Sequence, residues 1–191
     1  MTLLFIFLFA IIFSVIAWRK LDQAVLLTVL LLPTYLLRFD IGVPSTVLEV
    51  MIGIVFVVWV IRNRGFLSKR WKEIATSKPL HSQSYPFRWL LIAWLLVSFI
   101  AVGIAGWDLA AFGVWRAYFF EPALLYIVVV NIFNTKDKLI CLLGAFGLSV
   151  VAVSLFAIYQ FITGDFIPNE FWAGNTNRRA TSFFPFPNAV G

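Results

Sequence analysis

Long apolar runs parted by short polar connectors restrict this chain more than any motif in it. The runs Leu3–Ala17, Leu21–Leu37, Ser45–Ile61, Trp89–Ala105, Leu109–Phe133 and Leu139–Thr163 approach the roughly 17–25 mostly apolar residues that cross a bilayer. Of the 191 residues, 62% are hydrophobic and 13% charged, whereas a soluble domain is about half apolar. An aqueous globule of this size would lack the polar surface to cover such a composition. The sequence therefore predicts an all-α polytopic membrane protein. Six transmembrane helices form one domain over residues 1–191, with an outer-face re-entry segment at the C-terminal end.

The connectors set the orientation. Residues 62–88 hold Arg62, Arg64, Lys69, Arg70, Lys72, Lys78 and Arg88 against Glu73 alone, and such basic loops stay in the cytoplasm. Alternation then places Arg19-Lys20 and Lys136-Asp137-Lys138 inside. Arg38–Pro44, Gly106–Asp108, the loop 164–191 and the N-terminus fall outside. The net charge of +6 is gathered between apolar runs, a membrane pattern that points to membrane lipids and not to nucleic acid. Cys141 stands alone in an apolar run, which excludes a disulfide framework and a thiol-metal site. The first run reads as a retained span: no basic residue precedes it, no small-residue cleavage site ends it, and Trp18-Arg19-Lys20 follow at once.

Much of the rest reads as scaffold. Ala101/Ala105, Gly103/Gly106 and Gly144/Gly147 place small residues at helical spacing, as close helix packing requires. Trp59, Trp71, Trp89 and Trp107 lie near run ends, where interfacial anchors sit. His81, in the basic loop, reads as solvated. Pro33 and Pro122 are expected to kink their helices.

Arg116 and Glu121, in the fifth run, are costlier. A charge at bilayer depth costs about 2.5–3.5 kcal/mol, so such groups default to a functional role. At about 1.5 Å per residue, Arg116 lies roughly 10 Å and Glu121 roughly 18 Å below the outer end of that run. In an α-helix their spacing sets them about 140° apart, so a same-face pair is not expected. Pro122 deprives the Tyr118 carbonyl of its helical donor. Arg38, Glu49, Arg178 and Arg179 fall at the same outer level. Guanidinium groups gathered there suit the oxygens of a lipid diphosphate, although Arg38 equally suits snorkelling to headgroups. A nucleotide-binding glycine loop, paired-aspartate or HExxH metal motif, nucleophile elbow and Cys/His ligand set are all absent, so no cofactor or metal is expected.

The segment Arg179-Ala180-Thr181-Ser182-Phe183-Phe184-Pro185-Phe186-Pro187-Asn188-Ala189-Val190-Gly191 resembles the O-antigen ligase and polymerase superfamily, in which an outer-face R-x-x-x-x-F-x-x-P-N segment leads into the next span. Gly113 to Pro122, GVWRAYFFEP, is similar to the fifth span of that group. Pro185 departs from the glycine common there. The resemblance implies a glycosyltransferase. It would move a glycan from undecaprenyl diphosphate to a lipid-linked sugar, a growing polymer or a protein at the outer face of a bacterial cytoplasmic membrane. It implies diphosphate binding first by Arg179 and then by Arg116; Arg178, Arg38 and Glu121 join the candidate substrate site on their position in the sequence alone. Arginines would neutralise the leaving diphosphate as an oxyanion hole does. Asn188 and Pro187 would shape the re-entry. The base histidine of the group would lie beyond Gly191, so the chain is expected to be the N-terminal piece of a longer protein or a truncated gene product, and inactive alone.

Two other readings stay open from the residues. Arg116 and Glu121 could line a path through a multi-span transporter or flippase for an anionic or lipid-linked substrate. Alternatively, the buried charges only pair between helices in a membrane scaffold.

Overall fold

A computed structural model describes residues 2–40, 44–75, 87–174, 178–184 and 187, with side chains for all of these except 2 and 66–75. The centre of the basic loop, with Lys78 and His81, lies outside the described residues, as do Pro185, Phe186 and 188–191. The side chains of Lys69, Arg70, Trp71, Lys72 and Glu73 lie outside them too.

Helix α1 runs Thr2–Arg19 and α2 runs Leu21–Leu30. Pro33 then enters a 3-10 turn, Leu32–Leu36, because proline offers no N–H to an α-helical ladder and fixes φ. Two short antiparallel strands follow, β1 Arg38–Asp40 and β2 Pro44–Thr46, in the register Arg38–Thr46, Phe39–Ser45, Asp40–Pro44. Thr46 Oγ1 accepts the Glu49 N–H at 3.2 Å, an N-cap that starts α3, Val47–Ala75. Helix α4 spans Arg88–Ile104. One apolar rod then holds α5 Leu109–Trp115, a π-helical turn Arg116–Phe120 and α6 Glu121–Ile132. Helix α7, Lys136–Thr163, is capped by Thr135 at its start and by left-handed Gly164 at its end. The four-residue α8 covers Glu170–Ala173.

The core lies among α1, α2, α3 and α6, where Phe13, Ala17, Val25, Met51, Val55 and Val128 are fully buried. The outer helices invert the aqueous pattern. On α7 the buried residues are Ser149 and Gln160, while Leu143, Leu148, Leu155 and Ile162 are exposed. Helix α4 likewise exposes Leu90, Val97 and Ile100. Apolar surface of this extent faces lipid or a partner, not water.

The expectation of six spans is not met, and the fold is not purely helical. Among the described residues two helices are long and apolar enough to cross a membrane, Leu109–Ile132 and Lys136–Thr163. Only 11% and 6% of their most apolar windows are buried, which separates them from the core helices of a soluble protein. The first run forms the 17-residue apolar helix Leu3–Arg19 and the fourth forms Arg88–Ile104. The second run breaks at Pro33, leaving α2 with 10 residues, about 15 Å. Glu49, Arg62 and Arg64 interrupt the apolar face of α3. The expected outer connector Arg38–Pro44, with Ser45 and Thr46 after it, contributes the strand pair instead.

Two packing expectations also change. Trp59 is buried in the core and is no interfacial anchor, whereas Trp89 and Trp107 are exposed. A Cβ on Gly144 or Gly147 would meet nothing within 4 Å, so neither glycine serves a close helix contact among the described residues.

Candidate functional site

Arg116 sits where the hairpin, α3 and the α5–α6 rod meet. Its Nη2 donates to Glu49 Oε2 at 2.7 Å, to the Pro44 carbonyl at 2.8 Å and to Ser45 Oγ at 3.5 Å. Glu121 Oε1 lies 3.4 Å from Nε. That Nε is buried and makes no hydrogen bond among the described groups, so Glu121 acts on it as a neighbouring charge. The side chains of Glu49 and Glu121 are 13% and 12% exposed, and that of Arg116 is 28% exposed.

Arg116 and Glu121 meet because the helix between them is not α-helical. The Glu121 N–H donates to the Arg116 carbonyl, an i→i+5 bond. The wider turn brings residues five apart onto one face, which overturns the separation expected of an α-helix. Pro122 supplies the physical reason: its ring would clash with the carbonyl four residues back, and a π turn removes that contact.

The second half of the site is the terminal segment. Gln160 is fully buried and binds that segment with both ends of its amide. Its Oε1 accepts the N–H groups of Thr181 at 3.0 Å and Ser182 at 2.6 Å. Its Nε2 donates to the carbonyls of Phe166 at 2.9 Å and Ser182 at 3.0 Å. Ser182 Oγ donates to the Val153 carbonyl at 2.8 Å. Phe183 stacks on Phe156, with ring centroids 4.6 Å apart, and Phe184 meets Tyr35 at 6.1 Å. The segment is thus pinned between α7 and the 3-10 turn.

The two adjacent arginines have different fates. Arg178 donates to the carbonyls of Phe161 at 3.0 Å, Ile162 at 2.8 Å and Ala173 at 3.4 Å. It caps the C-terminal end of α7, where carbonyls lack helical donors and the helix dipole is negative. The left-handed φ of +83° at Gly164 favours glycine, and a Cβ there would also press on the Arg178 guanidinium at 2.8 Å. Arg179 donates its backbone N–H to the Trp172 carbonyl at 3.0 Å. Its side chain is exposed, and its guanidinium has no partner among the described residues.

Of the residues singled out in the sequence, Arg116 and Glu121 come together, with Glu49 as the closer partner. Arg38 is exposed on β1, opposite Thr46 and two residue pairs along the hairpin from Pro44, about 7 Å. Arg179, whose backbone bonds to Trp172, shares no hydrogen-bond partner with Arg38 or Arg116 among the described residues. Sequence reasoning missed Gln160. A lone amide inside an apolar run is its one signal, since buried polar groups in such a run need partners.

Chemically, Arg116 is a clamp. One guanidinium faces two carboxylates and a carbonyl, an arrangement that ties three elements together. Arg179 is an exposed arginine on a backbone held by the bonds of the terminal segment. No protein-family model, curated protein or solved structure matches the chain.

Proposed function

We propose that the chain belongs to a membrane-embedded glycosyltransferase of the O-antigen ligase and polymerase type. The donor is a glycan on a polyprenyl diphosphate, and transfer occurs at the outer face of a bacterial cytoplasmic membrane, where residues 178–184 lie. Arg179 binds the diphosphate. Arg38, exposed on the hairpin, contributes long-range positive charge. Arg116, Glu49, Glu121 and Arg178 hold the frame on which that surface rests. No general base is assigned among the described residues.

The observation that carries this reading is the fixed path of the terminal segment. Gln160 and Phe156 immobilise Thr181–Phe183, Arg178 is spent on helix carbonyls, and the neighbouring Arg179 stays exposed and unpaired among the described residues. A guanidinium on an ordered backbone beside an apolar bundle suits a phosphate group at the headgroup level. The exposed apolar faces of Leu109–Ile132 and Lys136–Thr163 support the membrane setting.

The test is binding of a short-chain polyprenyl diphosphate to the protein in nanodiscs. Arg179→Ala is expected to weaken binding about tenfold or more, as loss of a charge-assisted contact does, with Arg179→Lys intermediate. Equal affinity for wild type and Arg179→Ala would remove the assignment. The ion-paired clamp at Arg116 favours one other reading, a membrane scaffold in which buried charges serve packing alone. A protein that binds no polyprenyl diphosphate would support that reading.

A further inference from the structure

We infer that the end of the bundle opposite the terminal segment binds an anionic phospholipid, with its phosphate in a basic cleft and an acyl chain in the groove beside α1. This rests on the chain meeting a bilayer and is independent of the glycosyl transfer proposed above.

The cleft, of about 530 Å³, is lined by Arg19, Lys20, Asp22, Arg62, Asn63 and Asn131, among others. Three cations against one carboxylate leave it positive. Arg62 reaches it from α3 and spends one N–H on the Trp18 carbonyl, which leaves its other donors for a ligand. Nearby, the Lys138 ammonium is held on the Ile132 carbonyl at 3.1 Å. Arginine and lysine at a helix end, where the surrounding helices present apolar flanks, suit the phosphate of a lipid headgroup.

A second cleft, of about 730 Å³, shares Arg19 with the first. It runs between α1 and α3, and its walls are Phe7, Ile11, Val15, Val50, Ile54 and Val58. Ala10 and Ser14 open its floor. Ser14 Oγ is already donating to the Ala10 carbonyl at 2.7 Å, so the floor offers no unmet donor. From Phe7 to Trp18 the groove is about 16 Å long, close to the ~15 Å depth of one bilayer leaflet. Its outer walls are exposed: Phe7, Ile11 and Val15 are 66%, 46% and 49% accessible. The positive charge at one end and the leaflet-deep apolar trough running from it together select an anionic lipid over a detergent, a neutral lipid or a soluble anion.

The experiment uses the protein in nanodiscs of phosphatidylcholine with a minor share of phosphatidylglycerol, and native mass spectrometry to count the lipid retained on extraction. Wild type is expected to keep phosphatidylglycerol in preference to phosphatidylcholine. Arg19→Gln with Lys20→Gln, which leaves the Arg62 bond to Trp18 in place, is expected to lower that retention about tenfold or more. Ala10→Phe fills the groove without touching a charge and is expected to lower it as well. Equal retention of the two lipids by wild type would overturn the inference, whatever the variants do. Retention of phosphatidylglycerol by Ala10→Phe at the wild-type level, or its displacement by soluble glycerol phosphate, would make this a free-phosphate site and overturn the lipid assignment. Arg179→Ala is expected to leave this retention unchanged, so the two proposals fail separately.

Discussion

Replacing Gln160 by leucine is expected to release residues 178–184 from α7 while leaving the helix intact. The amide is fully buried and makes four hydrogen bonds to backbone groups of Phe166, Thr181 and Ser182. Leucine fills the space but leaves those N–H and C=O groups buried and unpaired, at about 1–3 kcal/mol each. The segment escapes part of that cost by moving to solvent, so the local loss is about 3–5 kcal/mol. Amide exchange at Thr181 and Ser182 should then rise on the order of 10²–10⁴-fold, at about 1.4 kcal/mol per tenfold, read by hydrogen-exchange mass spectrometry of the terminal peptide. Ile158→Ala, on the exposed face of the same helix, is the control and should leave exchange at those amides unchanged. Polyprenyl diphosphate binding should fall with the Gln160→Leu change even though Arg179 is intact, because the guanidinium would no longer be held in place.

The second large effect is at the clamp. Arg116→Met strands Glu49 and Glu121 at the junction of the hairpin, α3 and α6, with 13% and 12% of their side chains exposed. Removing one partner of a largely buried ion pair costs about 3–5 kcal/mol, since the remaining charge is left without compensation. Thermal unfolding in detergent should show the loss, and the strand pair should be the first element to detach. Replacing all three charges by apolar residues of similar size should recover most of the stability, because a packed apolar cluster avoids the desolvation penalty. Failure of the triple variant to recover would mean that the charges do more than pair with one another. The coupling of Arg116 to Glu49 should exceed that to Glu121, because Glu49 makes a 2.7 Å hydrogen bond and Glu121 makes none to Nε.

How much of this is legible in the sequence depends on how local the cause is. The fifth and sixth apolar runs, Leu109–Phe133 and Leu139–Thr163, fall almost exactly where the helices Leu109–Ile132 and Lys136–Thr163 form. Unbroken apolar composition over more than twenty residues is a local signal. The second run misleads because composition alone does not show that Pro33 ends a helix in place of kinking it. The hairpin escapes notice because strands of three residues, Arg38–Asp40 and Pro44–Thr46, are too short for alternation to register. α-Helical geometry argues against pairing Arg116 with Glu121, and the π turn beside Pro122 reverses that. Gln160 meets residues 21 and 22 positions away, and no spacing rule reaches that far. Sequence alone marks the arginines as unusual. Which of them stays exposed depends on the carbonyls at the end of α7, and that is a property of the fold.

In the orientation proposed above, the end of the bundle carrying the terminal segment faces the outside of the membrane and the basic cleft faces the cytoplasm. Single cysteines at the two ends test it directly, with Cys141→Ala removing the one native thiol. In right-side-out vesicles a membrane-impermeant maleimide should label Arg179→Cys at once and Lys20→Cys only after the vesicles are opened. Labelling of both positions from the same side, or of position 179 only after opening, would contradict the account.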